Sequence, residues 1–142
     1  MEQKLNVYLS DLIVEYHKLQ NYHWYVKGHD FFNAHAKLEE IYTAFLGTID
    51  EVAETMLMNG MKPLASMKDF LAASNIKEAN AELITSDAVY ADLLSDFDYL
   101  YQSSIAIKKL ADEQECFAVS ATMDTYIAEF SKNIWMIKQS RM

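Results

Sequence analysis

The sequence predicts an all-α protein built from four long helices. Only three glycines and one proline occur in 142 residues, so turn signals are sparse and no strand-and-turn rhythm is present. Hydrophobic residues make up 51% of the chain, which is sufficient for one compact core. We therefore expect residues 1–142 to form a single helical domain.

The first two helices are predicted from apolar stripes that alternate steps of four and three residues. The first stripe consists of Leu5, Leu9, Leu12, Tyr16, Leu19 and His23. This helix is expected to stop near Gly28, and the second to begin after Asp30, a candidate N-cap, and to end near Gly60. The second stripe consists of His35, Leu38, Tyr42, Phe45, Ile49, Val52 and Met56.

A long connection separates this pair of helices from a second pair. Residues 61–82 contain the only proline, Pro63, and a short helix that Ser66 is expected to cap, with Asp69 at the capping-box position. Two more helices are predicted over about 86–111 and about 114–138. Their stripes consist of Val89, Leu93, Phe97, Leu100 and Ser104, and of Phe117, Ile127, Phe130, Ile134 and Ile137. This order is typical of a ferritin-like four-helix bundle with a short helix in the long middle crossover.

Charge and cysteine content limit the compartment and the partners. The formal charge of −9 attracts cations and repels polyanions. No run of eighteen apolar residues occurs, and the first residues show neither a basic leader nor a cleavable apolar segment. The single cysteine, Cys116, fits a reducing compartment. We expect a cytoplasmic protein without membrane contact.

The four histidines recur every six residues, but they do not share a function. Six residues turn a helix by about 240° beyond a whole turn, so this spacing cannot align one face. His17 lies off the first stripe and His29 follows Gly28, so we assign neither a role. His23 and His35 each fall in register with an apolar stripe. For either one alone, a buried histidine bonded to a carbonyl would be a sufficient explanation.

Two carboxylates on the second helix favour a metal site. Asp50 and Glu54 are four residues apart and therefore neighbours on one face, which also carries Leu46 and Leu57. An acidic pair beside leucines is unfavourable unless it is solvated, protonated or bound to a cation. Glu39 lies on the same flank about three turns earlier. Two imidazoles and two or three carboxylates suit a borderline divalent metal, with iron, zinc and manganese all possible.

One helix cannot close this site. His35 and Asp50 are separated by fifteen residues, or about 22 Å along a helix axis, so they cannot share an ion within one chain. The Glu-x-x-His motif of intra-bundle di-iron sites is absent from the sequence. A two-fold dimer with antiparallel second helices would bring His35 of one chain towards Asp50 and Glu54 of the other.

The segment "NYHWYVKGHDFFNAHAKLEEIYTAFLGTIDEVAE", with "GMKP" and "KNIWMIK", resembles the Dps family of mini-ferritins. The resemblance implies a ferroxidase centre formed by His23, His35, Asp50 and Glu54 and shared between two-fold related subunits. It implies an acidic position beside that centre at Glu39 and nearby tryptophans at Trp24 and Trp135. It further implies a hollow homododecamer that oxidises ferrous iron, preferably with hydrogen peroxide, and stores ferric mineral.

Two other functions stay open at this point. Many Dps proteins bind DNA through a basic terminus, whereas Lys4 is the only lysine or arginine in the first seventeen residues here. We therefore expect weak or absent DNA binding. The alternatives are a nucleoid-associated DNA-binding protein with little ferroxidase activity, and a structural helical bundle in which His23 and His35 are merely core residues.

Overall fold

The computed structural model describes residues 1–142. It is 78% helical, with five helices, so the prediction of an all-α protein is confirmed. The elements in chain order are α1 Glu2–Tyr25, β1 Val26–Lys27, α2 Phe31–Met58, α3 Met67–Ala73, β2 Ile84–Thr85, α4 Ser86–Glu113 and α5 Phe117–Ser140. No helix has the length and hydropathy needed to cross a bilayer.

The four long helices bury most of their predicted stripe residues against one another. α1 packs along α2, and α4 packs along α5. From the stripe of α1, five of six residues are buried, and Tyr16 is half-buried. In α4, every predicted stripe residue from Val89 to Ser104 is buried. The core is thus formed by the helix faces that apolar periodicity identifies.

The start of α5 differs from the prediction. Glu115 has φ 56°, and this left-handed residue ends the preceding turn, so α5 begins at Phe117 instead of near 114. Phe117 is 65% exposed, and its inclusion in the apolar stripe is wrong. Thirteen residues separate it from buried Phe130, and that separation turns the two side chains about 140° apart on a helix.

The crossover is held against α1 by polar side chains. Asn6 donates from Nδ2 to the carbonyl of Lys62 at 3.0 Å and accepts from the amide of Leu64 at 2.8 Å. Buried Asp11 accepts from the amide of Asn75 at 2.7 Å. These bonds satisfy backbone groups that the irregular segment would otherwise leave unpaired.

The short helix of the crossover begins as predicted. Ser66 is the N-cap of α3, and its hydroxyl accepts from the amide of Asp69 at 3.2 Å. Asp30 precedes α2 as predicted, but its side chain makes no capping bond. Its carboxylate accepts instead from the hydroxyl of Ser86 at 2.6 Å, which links the start of α2 to the start of α4.

A two-residue parallel strand pair, which the sequence did not predict, lies beside that contact. Val26 pairs with Ile84 and Lys27 with Thr85. Strands this short carry no period that could be read from a sequence. Gly28, at φ 126°, then turns the chain from β1 into α2 in a conformation that side chains rarely adopt. The end of α1 and the start of α2 are thereby fixed side by side.

A buried ionic cluster connects α1 with α4. The ammonium of Lys18 lies 2.7 Å from carboxylate oxygens of both Asp92 and Asp96, and the hydroxyl of Tyr22 donates to Asp92 at 2.5 Å. Glu15 is fully buried. Burial raises the pKa of Glu15, and the neighbouring Asp96 raises it further. Neither carboxyl oxygen of Glu15 has a hydrogen-bond partner within the chain, so this environment favours the neutral form of the carboxyl over the ionised form.

Candidate metal centre

Two stacked imidazoles lie where the end of α1 meets the start of α2. The ring centroids of His23 and His35 are 3.6 Å apart and the ring planes differ by 14°. Each Nδ1 lies 2.7 Å from the backbone carbonyl oxygen of the other histidine. The pair is thus joined by two reciprocal hydrogen bonds as well as by the stack.

These bonds determine which nitrogens are free to bind a metal. A carbonyl oxygen only accepts, so Nδ1 carries the proton in both His23 and His35. Each Nε2 then presents its lone pair, which is the form of a neutral imidazole that ligates metals. The two carbonyls thus fix both tautomers before any metal binds.

Three side chains surround the histidine pair. Glu39 places Oε1 3.8 Å from Nε2 of His23, and the hydroxyl of Tyr42 donates to the same oxygen at 3.4 Å. The ring of Tyr42 meets His23 edge-on at 5.3 Å, and the ring of Phe31 stacks on His35 at 4.9 Å. Neither Tyr42 nor Phe31 was predicted from the sequence to contact the site. The sequence did contain a signal for both contacts: Phe31 lies four residues before His35 and Tyr42 lies seven residues after it, and these spacings place all three on one face of a helix.

The carboxylate pair lies on the same helix, towards its other end. Asp50 and Glu54 are both exposed and line a shallow cavity of about 400 Å³ with Gly47, Met58 and Thr122. No lysine or arginine forms a salt bridge with either carboxylate. Two uncompensated acidic groups side by side suit a cation, since oxygen ligands can neutralise its charge.

Within one chain, the histidine pair (His23 and His35) and the carboxylate pair (Asp50 and Glu54) lie far apart. Nowhere do three histidine, cysteine or acidic side chains approach closely enough to hold a metal ion. His35 and Asp50 belong to one continuous helix, which spans Phe31–Met58, and a rise of about 1.5 Å per residue keeps them about 22 Å apart. The assignment of His23, His35, Asp50 and Glu54 to one metal centre stays a prediction, which a second subunit would have to complete.

The remaining aromatic and histidine positions lie outside the pair. Trp24 and Trp135 are 57% and 59% exposed. His17 is exposed and meets Trp24 edge-on at 6.0 Å. His29 is exposed as well. None of these residues joins the stacked imidazoles.

Comparison with known proteins agrees with the fold. The family model of the ferritin-like domain matches residues 2–140. DNA protection during starvation protein 2 of Bacillus anthracis is 35% identical over 94% of this chain and 91% of that protein. Antigen TpF1 of Treponema pallidum has a solved structure with a TM-score of 0.95 at 32% identity, over 98% of this chain and 89% of that one.

A further solved structure describes the wider class. The Dps protein of Vibrio cholerae O1, a member of the superfamily of ferritin-like diiron-carboxylate proteins, superposes with a TM-score of 0.93 at 35% identity, over 98% of this chain and 87% of that chain. The fold therefore defines a ferritin-like protein. Within that class, the chain belongs to the Dps family.

Proposed function

We propose that this protein is an iron-storage and detoxification mini-ferritin that oxidises Fe(II) at a centre shared between two subunits. The observation that carries the proposal is the reciprocal bonding of His23 and His35, because it leaves two Nε2 lone pairs free and pre-oriented. A satisfied core histidine would use its nitrogens within the chain. Membership of a ferritin-like diiron family supports iron as the metal.

The second half of each centre comes from the two-fold mate. With α2 antiparallel to its counterpart, the His23 and His35 pair of one chain meets the Asp50 and Glu54 pair of the other. Leu46 and Leu57, which flank the carboxylates, are 49% and 61% exposed. Their exposure beside the carboxylates supports an interface along this flank of α2.

The donor set suits the oxidation of iron. Two neutral imidazoles and two carboxylates balance the charge of one ferrous ion, and the hard carboxylate oxygens favour the ferric product. Hydrogen peroxide accepts two electrons, one from each of two ferrous ions, and with two protons yields two molecules of water. Glu39, beside Nε2 of His23, is proposed as a further ligand. Zinc or manganese can occupy the same donors.

The proposed assembly is a hollow homododecamer that stores the ferric product as mineral. It rests on the family resemblance and on the exposed apolar flank of α2. The free thiol of Cys116 is compatible with the cytoplasm, where we place the protein. Its partners are then other copies of itself, with iron and peroxide as substrates.

DNA protection is a second candidate function, and the names of relatives favour it. Several are called DNA protection during starvation protein. Consumption of ferrous iron and peroxide would protect DNA without contact. A net charge of −9 opposes direct binding, because the protein then releases few counterions from the phosphate backbone. A nucleoid-associated DNA-binding protein with little ferroxidase activity is the alternative.

Anaerobic ferrous titration followed by peroxide tests the proposal. We expect saturable binding of Fe(II), followed on peroxide addition by rapid formation of ferric absorbance that remains in solution with the protein. His23→Ala and Glu54→Ala should each slow the oxidation at least about tenfold, since second-shell changes alone cost that much. Oxidation in the wild type at the rate of the protein-free control would refute the proposed activity.

A further inference from the structure

Three aromatic rings form a continuous stack at the start of α2. Phe31 lies one helical turn before His35, and their rings are 4.9 Å apart with an interplanar angle of 28°. His23 covers the opposite face of His35 at 3.6 Å and 14°. The imidazole of His35 therefore lies between two aromatic rings, with Phe31 on one face and His23 on the other.

His23 and His35 differ in how firmly their surroundings fix the imidazole ring. His23 is 5% exposed, is covered by His35 on one face and meets Tyr42 edge-on. His35 is only half-buried and belongs to the first turns of α2. Its bond from Nδ1 to the carbonyl of His23 and its stack on His23 constrain one edge and one face of the ring, but they do not prevent the ring from tilting away from His23. The ring of Phe31 covers the face of His35 that His23 leaves open, and so it prevents this tilting.

We propose that Phe31 is a positioning residue for the metal centre: its ring holds His35 in the stack and thereby sets the direction of the free Nε2. This inference rests on the proposed function, because it assumes that His35 binds metal. Phe31 itself carries no donor atom and touches no ligand other than His35. Its effect is on the geometry and affinity of the first metal bound, as expected of a group that orients a ligand.

Cobalt(II) binding provides a readout that does not depend on iron oxidation. Anaerobic Co(II) titration of the assembled protein at neutral pH, followed by ligand-field absorption, measures both affinity and coordination geometry. Phe31→Leu keeps apolar bulk but removes the flat face, so we expect a roughly ten- to hundredfold weaker affinity and an altered absorption band. Phe31→Tyr keeps the ring and should restore both. Phe117→Leu, at an exposed phenylalanine on another helix, is the matched control and should behave as the wild type.

The outcomes separate this inference from the function on which it rests. Normal Co(II) affinity and an unchanged spectrum in Phe31→Leu, with Co(II) binding in the wild type, would overturn the positioning role and leave the proposed centre intact. A wild type that binds no Co(II), Zn(II) or Fe(II) would refute the centre and this role together. Light scattering must show that Phe31→Leu assembles as the wild type does. If it does not, Phe31→Met, which also lacks a ring, is compared in its place.

Discussion

Mixing two inactive variants tests whether the centre is shared between chains. His35→Ala removes a ligand from the imidazole half, and Glu54→Ala removes one from the carboxylate half. In a homo-oligomer of either variant every centre lacks a ligand, so each should lose at least about tenfold in the rate of iron oxidation. The two substitutions lie nineteen residues apart on one helix, or about 28 Å, so they do not perturb each other directly.

The magnitude of the recovery follows from counting sites. After joint unfolding and reassembly at equal concentrations, about half of the two-fold interfaces pair unlike chains if association is random. Each such interface contains one centre that lacks both ligands and one that is intact. Roughly a quarter of wild-type activity should therefore return if the centres act independently.

A matched mixture distinguishes this explanation from non-specific rescue. His23→Ala mixed with His35→Ala places both substitutions in the same half, so neither centre of a mixed interface is intact and no activity should return. The assay is peroxide-driven formation of ferric absorbance, with assembly confirmed by light scattering. Equal activities in the two mixtures, or an inactive His35→Ala and Glu54→Ala mixture, would refute the shared centre.

Four further predictions concern the whole chain. Light scattering should give the mass of a dodecamer, and a stable monomer would contradict the role assigned to the apolar flank of α2. Duplex DNA should not be retained in a mobility assay at physiological salt without divalent metal, and tight retention would overturn the charge argument. Phe97→Ala should cost about 3–5 kcal/mol in urea unfolding because Phe97 is fully buried between Phe45 and Phe130, whereas Phe117→Ala should cost less than about 0.5 kcal/mol. Burial and Asp96 raise the pKa of Glu15 in the folded chain, so the folded state holds this proton more tightly and the contribution of Glu15 to stability falls as pH rises above about 4.3, by up to about 1.4 kcal/mol per pH unit. The Glu15→Gln variant has no carboxyl to titrate and should gain stability relative to the wild type as pH rises, whereas parallel stability curves for the two proteins would show that folding does not raise the pKa of Glu15.

Local sequence patterns determined the helices and the faces that they bury. Steps of three and four residues identified the stripes of α1, α2 and α4 because burial of an apolar face is what stabilises a helix in a folded protein. Ser66 identified the start of α3 through its bond to a nearby backbone amide, which is a local interaction. The start of α5 was misplaced because the turn at Glu115, a residue with no special preference for a positive φ, gives no sequence signal. The error at Phe117 was avoidable, because its spacing from Phe130 already places it about 140° from the buried face.

Only the tertiary structure decided how the candidate ligands are presented. Residue spacing placed His23 and His35 on buried stripes of two helices, but their stack and reciprocal carbonyl bonds depend on the turn through Gly28 that sets α1 beside α2. The contacts of Phe31 and Tyr42 with this pair are likewise consequences of packing between helices. The sequence alone did establish, through the fixed rise of a helix, that the imidazoles and the carboxylates of one chain cannot meet. A rigid helix determines a distance along its own axis, whereas contacts between helices depend on how distant segments pack.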